Sequence, residues 1–94
     1  MIRKFKNKAT ARLANGVRVP DLPSEIQAKA NRLLRIMAEC DDWNELRNPP
    51  GNKLHALRGN RKGQYAIWIN RQWRIAFMPV DGACEDVEVT DYHD

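Results

Sequence analysis

The stretch YAIWINRQWRIAF, residues 65–77, decides the fold, because the polar Asn70-Arg71-Gln72 divides it into two short apolar segments. Residues 65–69 are apolar at every position, and residues 73–77 are interrupted only by Arg74. Strands that are buried on both faces have such continuous apolar runs, and a short polar connection is typical of a hairpin. The stretch therefore predicts two antiparallel strands at the centre of a sheet.

Further strand candidates flank this hairpin on both sides. Residues 54–57 precede it, and residues 84–92 follow it after the reversal Val80-Asp81-Gly82-Ala83. Asn48-Pro49-Pro50-Gly51 breaks the chain before the first of these strands, because proline cannot continue a helix. Everything beyond this break is therefore predicted to be an antiparallel meander.

The preceding half of the chain predicts two helices. Asn7 can cap a helix that ends at Asn15-Gly16, where glycine tolerates the left-handed backbone. Residues 24–27, Ser-Glu-Ile-Gln, have the spacing of a capping box. Apolar residues then recur at the helical period on one face: Ile26, Ala30, Leu33, Leu34 and Met37.

Two shorter elements complete the predicted order. Residues 2–6 alternate apolar and polar side chains like a short strand, although Ile2 and Phe5 are slightly out of register for a strict two-residue period. Residues 41–46 add a helical turn. The resulting order is β-α-α-β-β-β-β, an α+β fold. Two N-terminal helices would pack on one face of a twisted, mainly antiparallel sheet of roughly four to five strands and leave the other face free.

Length and composition predict one domain, residues 1–94. No apolar run approaches the roughly 18 residues that a membrane span needs, so no membrane partner is expected. The N-terminus lacks the apolar region of a secretory signal, which predicts a cytoplasmic protein. Cys40 and Cys84 are outside any C-x-x-C spacing and are expected to be reduced, buried thiols.

Charge is distributed unevenly along the chain. The net charge is +4, yet residues 81–94 hold six of the twelve acids and no Lys or Arg. Residues 46–80 contain no acid and carry the basic residues Arg47, Lys53, Arg58, Arg61, Lys62, Arg71 and Arg74. Phosphate backbones bind such surfaces by neutralisation and counterion release, so the sequence favours a polyanionic partner. On charge alone, a solvated basic face is the alternative.

An ordered set of motifs extends from about residue 51 to the C-terminus: Leu54-His55-Ala56-Leu57-Arg58-Gly59, Gly63, Ile67-Trp68-Ile69-Asn70, Trp73-Arg74-Ile75-Ala76-Phe77 and Asp91-Tyr92-His93. This set resembles the HigB-type toxins of the RelE/ParE superfamily. The Asp-Tyr-His ending is its most discriminating part. The chain departs from the pattern in having Arg58 where relatives often have Lys, and in continuing past His93 to Asp94.

The resemblance implies a RelE-like fold and a ribosome-dependent endoribonuclease that cleaves mRNA in the A site, docked on 16S ribosomal RNA. It also implies a type II toxin-antitoxin system whose cognate antitoxin has a helix-turn-helix DNA-binding domain. The toxin would then contact operator DNA only through the antitoxin. Carried across by motif, the catalytic residues are His55, Arg58, Arg74, Asp91, Tyr92 and His93.

The residue types fit RNA cleavage without a metal. The 2′-hydroxyl attacks the adjacent phosphate, which needs a base, a cation for the developing charge and an acid for the leaving oxygen. Arg58 and Arg74 stay protonated and can only stabilise charge. Histidine exchanges protons near neutral pH, so His55 and His93 are candidates for base and acid in either assignment. The expected products are a 2′,3′-cyclic phosphate and a 5′-hydroxyl.

Two of these residues have more than one interpretation. Arg74 either projects from the free face of the sheet, which we favour because its surroundings lack acids, or pairs with an acid such as Glu88. If the last strand continues to its end, Asp91 shares a face with His93 and can orient it or meet a nearby Arg, while Tyr92 points to the other face.

The remaining basic and aromatic residues complete the predicted surface. Lys53, Arg61, Lys62 and Arg71 are the predicted RNA-binding residues. Core packing is favoured for Trp43, Trp68 and Trp73, with Tyr92 the better candidate for base stacking.

Two other functions remain open from the sequence. A ParE-type gyrase poison would leave the His, Arg and Asp-Tyr-His set without a role, and a noncatalytic RNA-binding module would use the same basic surface. A zinc site built from His55, His93, Cys40 and Cys84 has no recognisable ligand spacing. Neither a metal nor a cofactor is expected.

Overall fold

Two helices form where the sequence places them. The computed structural model describes residues 1–92. Helix α1 (Lys8–Ala14) begins after Asn7, whose Oδ1 accepts the backbone N–H of Thr10 at 2.9 Å. Helix α2 (Ser24–Glu39) buries the predicted apolar stripe. The side-chain amide of Asn31 joins the two helices by donating to the carbonyl of Leu13 at 2.7 Å.

The predicted capping box at residues 24–27 is wrong. Pro23 occupies the N-cap position of α2 and makes no side-chain cap, while Gln27 turns to the preceding loop. Its Oε1 accepts the N–H of Val19 at 2.9 Å, and its Nε2 donates to the carbonyls of Val19 at 2.6 Å and Leu22 at 2.9 Å. These backbone groups need partners inside the protein, and a buried amide supplies both a donor and an acceptor.

A capping box forms instead within the predicted helical turn at residues 41–46. Asp42 accepts the N–H of Asn44, and the Glu45 carboxylate accepts the N–H of Asp42, at the start of a 3₁₀ turn over Trp43–Arg47. The hydrogen bonds from Asn44 lower the pKa of the Asp42 carboxyl. Protonation of Asp42 at low pH therefore weakens this cap.

The sheet confirms the predicted meander. It runs in the order β1 (His55–Ala56), β2 (Tyr65–Trp68), β3 (Arg74–Val80) and β4 (Ala83–Thr90), and each neighbouring pair is antiparallel. The hairpin of residues 65–77 supplies the two central strands. The sequence predicts that the last strand extends to Tyr92, but β4 ends at Thr90.

The predicted strand at residues 2–6 is reduced to two isolated parallel bridges, Ile2 with Cys84 and Phe5 with Val87. These residues are three positions apart, which departs from the two-residue period of a regular strand. The segment nevertheless lies along β4, because Arg3 and Lys6 donate backbone hydrogen bonds to its carbonyls at 2.9 Å.

The two faces of the sheet differ sharply. One face packs against both helices and holds the main core, which includes Ile67, Ile69, Ile75, Phe77, Val87 and Val89. The other carries a small apolar cluster of Leu57, Ala66 and Ala76, with Tyr92 packed against it. We call this second surface the helix-free face. Within residues 1–92, neither helix has the length and apolar character that crossing a bilayer requires.

The cysteines have different environments, although both were expected to be buried. Cys84 is 1% exposed on β4, whereas Cys40, which follows the end of α2, is partly exposed. Burial raises the pKa of the Cys84 thiol from 9.0 to about 11. As the pH rises, the thiol loses its proton at a lower pH in the unfolded chain than in the folded protein. The contribution of the protonated Cys84 thiol to folding stability is therefore complete below pH 9.0 and is lost as the pH rises to about 11.

We predict that iodoacetamide at pH 8 modifies Cys40 much faster than Cys84. The thiolate is the reacting form, and Cys84 is both inaccessible and protonated. Peptide mass spectrometry after timed quenching measures the two rates, and denatured protein provides the control in which both thiols react. Equal rates in the native protein would contradict the buried position of Cys84.

Candidate active site

Strand register places several predicted site residues on the helix-free face. His55 pairs with Ala66, and Ala66 pairs in turn with Ala76. Directly paired residues point to the same side of a sheet, so these three side chains share one face. Trp68 pairs with Arg74, and each lies two residues from a member of that row. His55, Trp68 and Arg74 therefore all lie on the helix-free face.

The guanidinium of Arg74 is held in a defined orientation. Its Cζ lies 4.1 Å from the centre of the Trp68 ring. Its Nη1 donates to the carbonyls of Asn70 at 2.6 Å and Arg71 at 2.8 Å, in the turn between β2 and β3. Arg74 thus lies on the helix-free face, the alternative that the sequence favours. It is only 6% exposed because Trp68 and the turn enclose it. These contacts fix the orientation of the planar guanidinium.

Trp68 was predicted to lie in the core, and this prediction is wrong. It is partly buried on the helix-free face, where the Lys53 Nζ lies 4.9 Å from its ring centre. Ile67 in β2 and Ile69 just after the strand, on either side of Trp68 in sequence, both lie in the core. Trp43 and Trp73 do pack against the core, as expected. Strict alternation with the two isoleucines was the signal that could have identified Trp68 as a surface residue.

The ring of His55 is oriented by the backbone. Its Nδ1 lies 2.7 Å from the carbonyl oxygen of Lys53. A carbonyl oxygen only accepts hydrogen bonds, so Nδ1 carries the hydrogen in this contact. In the neutral ring, the basic lone pair is then on Nε2. The local structure therefore selects the tautomer in which Nε2 can accept a proton.

After β4, Tyr92 lies on the helix-free face. Tyr92 packs on the cluster of Leu57, Ala66 and Ala76, and the Arg61 Cζ lies 5.0 Å from its ring centre. The strand alternation considered for the last residues does not apply to Asp91 and Tyr92, because β4 has already ended. Asp91 is exposed, and His93 lies outside the described residues.

The other predicted residues differ in accessibility. Arg58, Lys53, Lys62 and Arg71 are exposed. Arg61 is partly buried and forms an ion pair with Glu88 at 3.2 Å, so Arg61, not Arg74, is the residue that Glu88 binds.

An open depression of about 610 Å³ is lined by Trp68, Arg71, Gln72 and Arg74. Within residues 1–92, no group of three or more His, Cys, Asp or Glu side chains is placed to hold a metal ion.

Comparison with known proteins identifies the family. The family model described as the RelE-like toxin of type II toxin-antitoxin system HigB matches residues 3–93. The chain belongs to this HigB-like toxin family. Endoribonuclease HigB of Proteus vulgaris is 30% identical over 93 residues, which cover 99% of this chain and 100% of that protein. Toxin HigB-1 of Vibrio cholerae is 41% identical over 61 residues, covering 65% of this chain and 64% of that toxin.

Solved structures confirm the RelE-like α+β fold. A mutant of YafQ from E. coli superposes with a TM-score of 0.64 at 17% identity, covering 97% of this chain and 91% of YafQ. A YoeB–YefM complex from Staphylococcus aureus gives a TM-score of 0.55 at 15% identity, covering 100% of this chain and 99% of the matched one.

We predict that Trp68→Leu lowers the free energy of unfolding by roughly 1–3 kcal/mol, because it removes the ring against which Arg74 and Lys53 pack. Trp68→Phe retains a ring face and should lose less. Urea unfolding followed by far-UV circular dichroism measures both variants. Equal losses in the two variants would show that the aromatic face does not hold these cations.

Proposed function

We propose that this HigB-like toxin is a ribosome-dependent endoribonuclease that cleaves mRNA in the A site. The chain is an endoribonuclease toxin by its family and by its match to Endoribonuclease HigB over the whole of that protein. The observation that supports the finer proposal is the placement of His55, Arg74 and Tyr92 together on the helix-free face. A ParE-type poison of gyrase would have no use for such a set.

The geometry suggests how the reaction proceeds. His55 and Arg74 lie two strands apart and two residues along the sheet, so their Cα atoms are separated by about 12 Å. Both side chains extend from the same face, and a phosphodiester group can bind between them. The Nε2 of His55 accepts the proton of the 2′-hydroxyl as its oxygen attacks phosphorus. Arg74, aided by Arg58, stabilises the negative charge that develops on the phosphoryl oxygens.

The second half of the reaction needs a proton donor. As the bond from phosphorus to the 5′-oxygen breaks, that oxygen takes a proton from His93 or Tyr92 and leaves as a 5′-hydroxyl. The upstream fragment keeps a 2′,3′-cyclic phosphate. The proposed proton transfers and the displacement at phosphorus use neither a metal nor a cofactor. Asp91 is proposed to orient His93.

RNA binding is proposed to depend on the exposed basic residues around this face. Lys53, Arg58, Lys62 and Arg71 are accessible to the phosphates of the messenger or of 16S ribosomal RNA. Each contact releases counterions, so binding should weaken steeply with added salt.

The protein is the toxin of a type II toxin-antitoxin system, and an antitoxin is its partner. We propose that this antitoxin has a helix-turn-helix DNA-binding domain and that the toxin reaches operator DNA only through it. We also propose that residues 1–94 form one domain and that the protein acts in the cytoplasm. The family model matches residues 3–93, nearly the whole of the proposed domain.

We predict that His55→Ala lowers cleavage of ribosome-bound mRNA by about 10²–10⁴-fold, the usual contribution of a general base. Arg74→Gln should lower it by about 10²–10³-fold through lost charge stabilisation. Sequencing of fragment ends in a translating extract measures both and identifies the cyclic phosphate. Lys29→Gln, an exposed substitution on α2 that removes the same charge as Arg74→Gln, should leave cleavage unchanged.

Three results would contradict the proposal. Equal cleavage of the messenger without ribosomes would exclude ribosome dependence. Inhibition of gyrase supercoiling with the messenger intact would favour a ParE-type poison. Tight RNA binding with no cut products would identify a noncatalytic binding module.

A further inference from the structure

Arg61 makes a set of contacts that differs from that of its exposed basic neighbours. Its Nη1 donates to Oε1 of Gln64 at 3.0 Å and to Oε1 of Glu88 at 3.2 Å. Its Cζ lies 5.0 Å from the centre of the Tyr92 ring. Only 22% of the Arg61 side chain and 21% of the Glu88 side chain are exposed. The guanidinium is therefore committed to partners within the protein.

Glu88 is an unusual residue for this surface. It pairs with Ala76 across β3 and β4, so its side chain shares the helix-free face with Arg74. An uncompensated carboxylate on a surface that binds RNA would repel phosphate. Arg61 neutralises it and is in turn anchored by it, which leaves Arg61 poorly placed to bind a phosphate group.

Tyr92 lies beyond the end of β4 at Thr90, so its ring is oriented by side-chain contacts with Arg61 and the apolar cluster rather than by its place in the strand. Its platform, Leu57, Ala66 and Ala76, consists mostly of small side chains. A guanidinium can donate hydrogen bonds within its plane while its face contacts an aromatic ring. Lysine carries the same charge but lacks this planar geometry.

We propose that Arg61, held by Glu88 and Gln64, is a positioning residue that orients the ring of Tyr92 over the helix-free face. This role replaces the phosphate contact predicted from its charge. The inference rests on the proposed nuclease function of this face. In that function, the ion pair of Arg61 and Glu88 serves to align Tyr92 with the RNA.

Fluorine NMR of protein labelled with 3-fluorotyrosine tests the positioning without requiring activity. The chain contains two tyrosines, Tyr65 and Tyr92, so two signals are expected, and Tyr92→Phe assigns them. Arg61→Gln, Arg61→Lys and Glu88→Gln should each shift the Tyr92 signal. The chemical shift of the Tyr65 signal should not change, because Tyr65 packs against Trp43 on the opposite face.

Lys62→Gln is the matched control, because it removes one positive charge from the adjacent, exposed position. It should leave the Tyr92 signal in place. A Tyr92 signal that does not move in Arg61→Gln, or that moves equally in Lys62→Gln, would overturn the proposal. If Arg61→Gln fails to fold, Glu88→Gln and Arg61→Lys provide the same test, with thermal unfolding as the check on folding.

Cleavage on ribosomes gives the second measurement. Arg61→Lys should lower kcat by roughly tenfold to a hundredfold with little change in KM, since misalignment affects the reacting geometry. A loss confined to KM, with a salt slope reduced by about 1, would identify Arg61 as a phosphate contact and overturn the proposal. If even the wild-type protein fails to cut, the nuclease proposal fails, while the fluorine shifts still decide whether Arg61 positions Tyr92.

Discussion

The register of β2 against β3 is the constraint on which the rest of this structure depends. Ile67 pairs with Ile75 on the side that both helices cover, and Trp68 pairs with Arg74 on the side that they leave open. A slip of one residue would exchange the two sets, placing a guanidinium in the core and isoleucines in solvent. The burial of aliphatic side chains under α1 and α2 therefore also determines the orientation of the candidate active site.

Two arginine side chains of the helix-free face are held by partners within the protein. Trp68 and two turn carbonyls hold Arg74, while Glu88 and Gln64 hold Arg61. In the proposed reaction, the Arg74 guanidinium has lost its conformational freedom before RNA binds, so it can stabilise developing charge without reorganising. The exposed lysines and arginines around it keep the long-range attraction for phosphate. The held arginines and the exposed basic residues thus have different proposed roles on one surface.

Local patterns predicted most of the fold, and tertiary contacts account for the exceptions. The hairpin, the apolar stripe of α2 and the Asn7 cap depend on neighbours within a few residues, and each formed as predicted. The capping box at residues 24–27 failed because Gln27 has better partners in a loop that lies several residues before it. At the site, motif resemblance located His55, Arg74 and Tyr92, but it did not reveal Trp68 or Glu88 as members of the same face.

Composition and periodicity alone determined a small basic α+β domain with a central antiparallel hairpin, because hydrophobic burial follows spacing along the chain. Only the tertiary structure decided which basic residues stay exposed and which are held inside. Arg61 and Lys62 are adjacent in sequence, yet one is bound to Glu88 across 27 positions and the other is exposed. That difference arises because an ion pair between distant segments requires strand register, and no local pattern encodes the distance between β4 and the turn before β2.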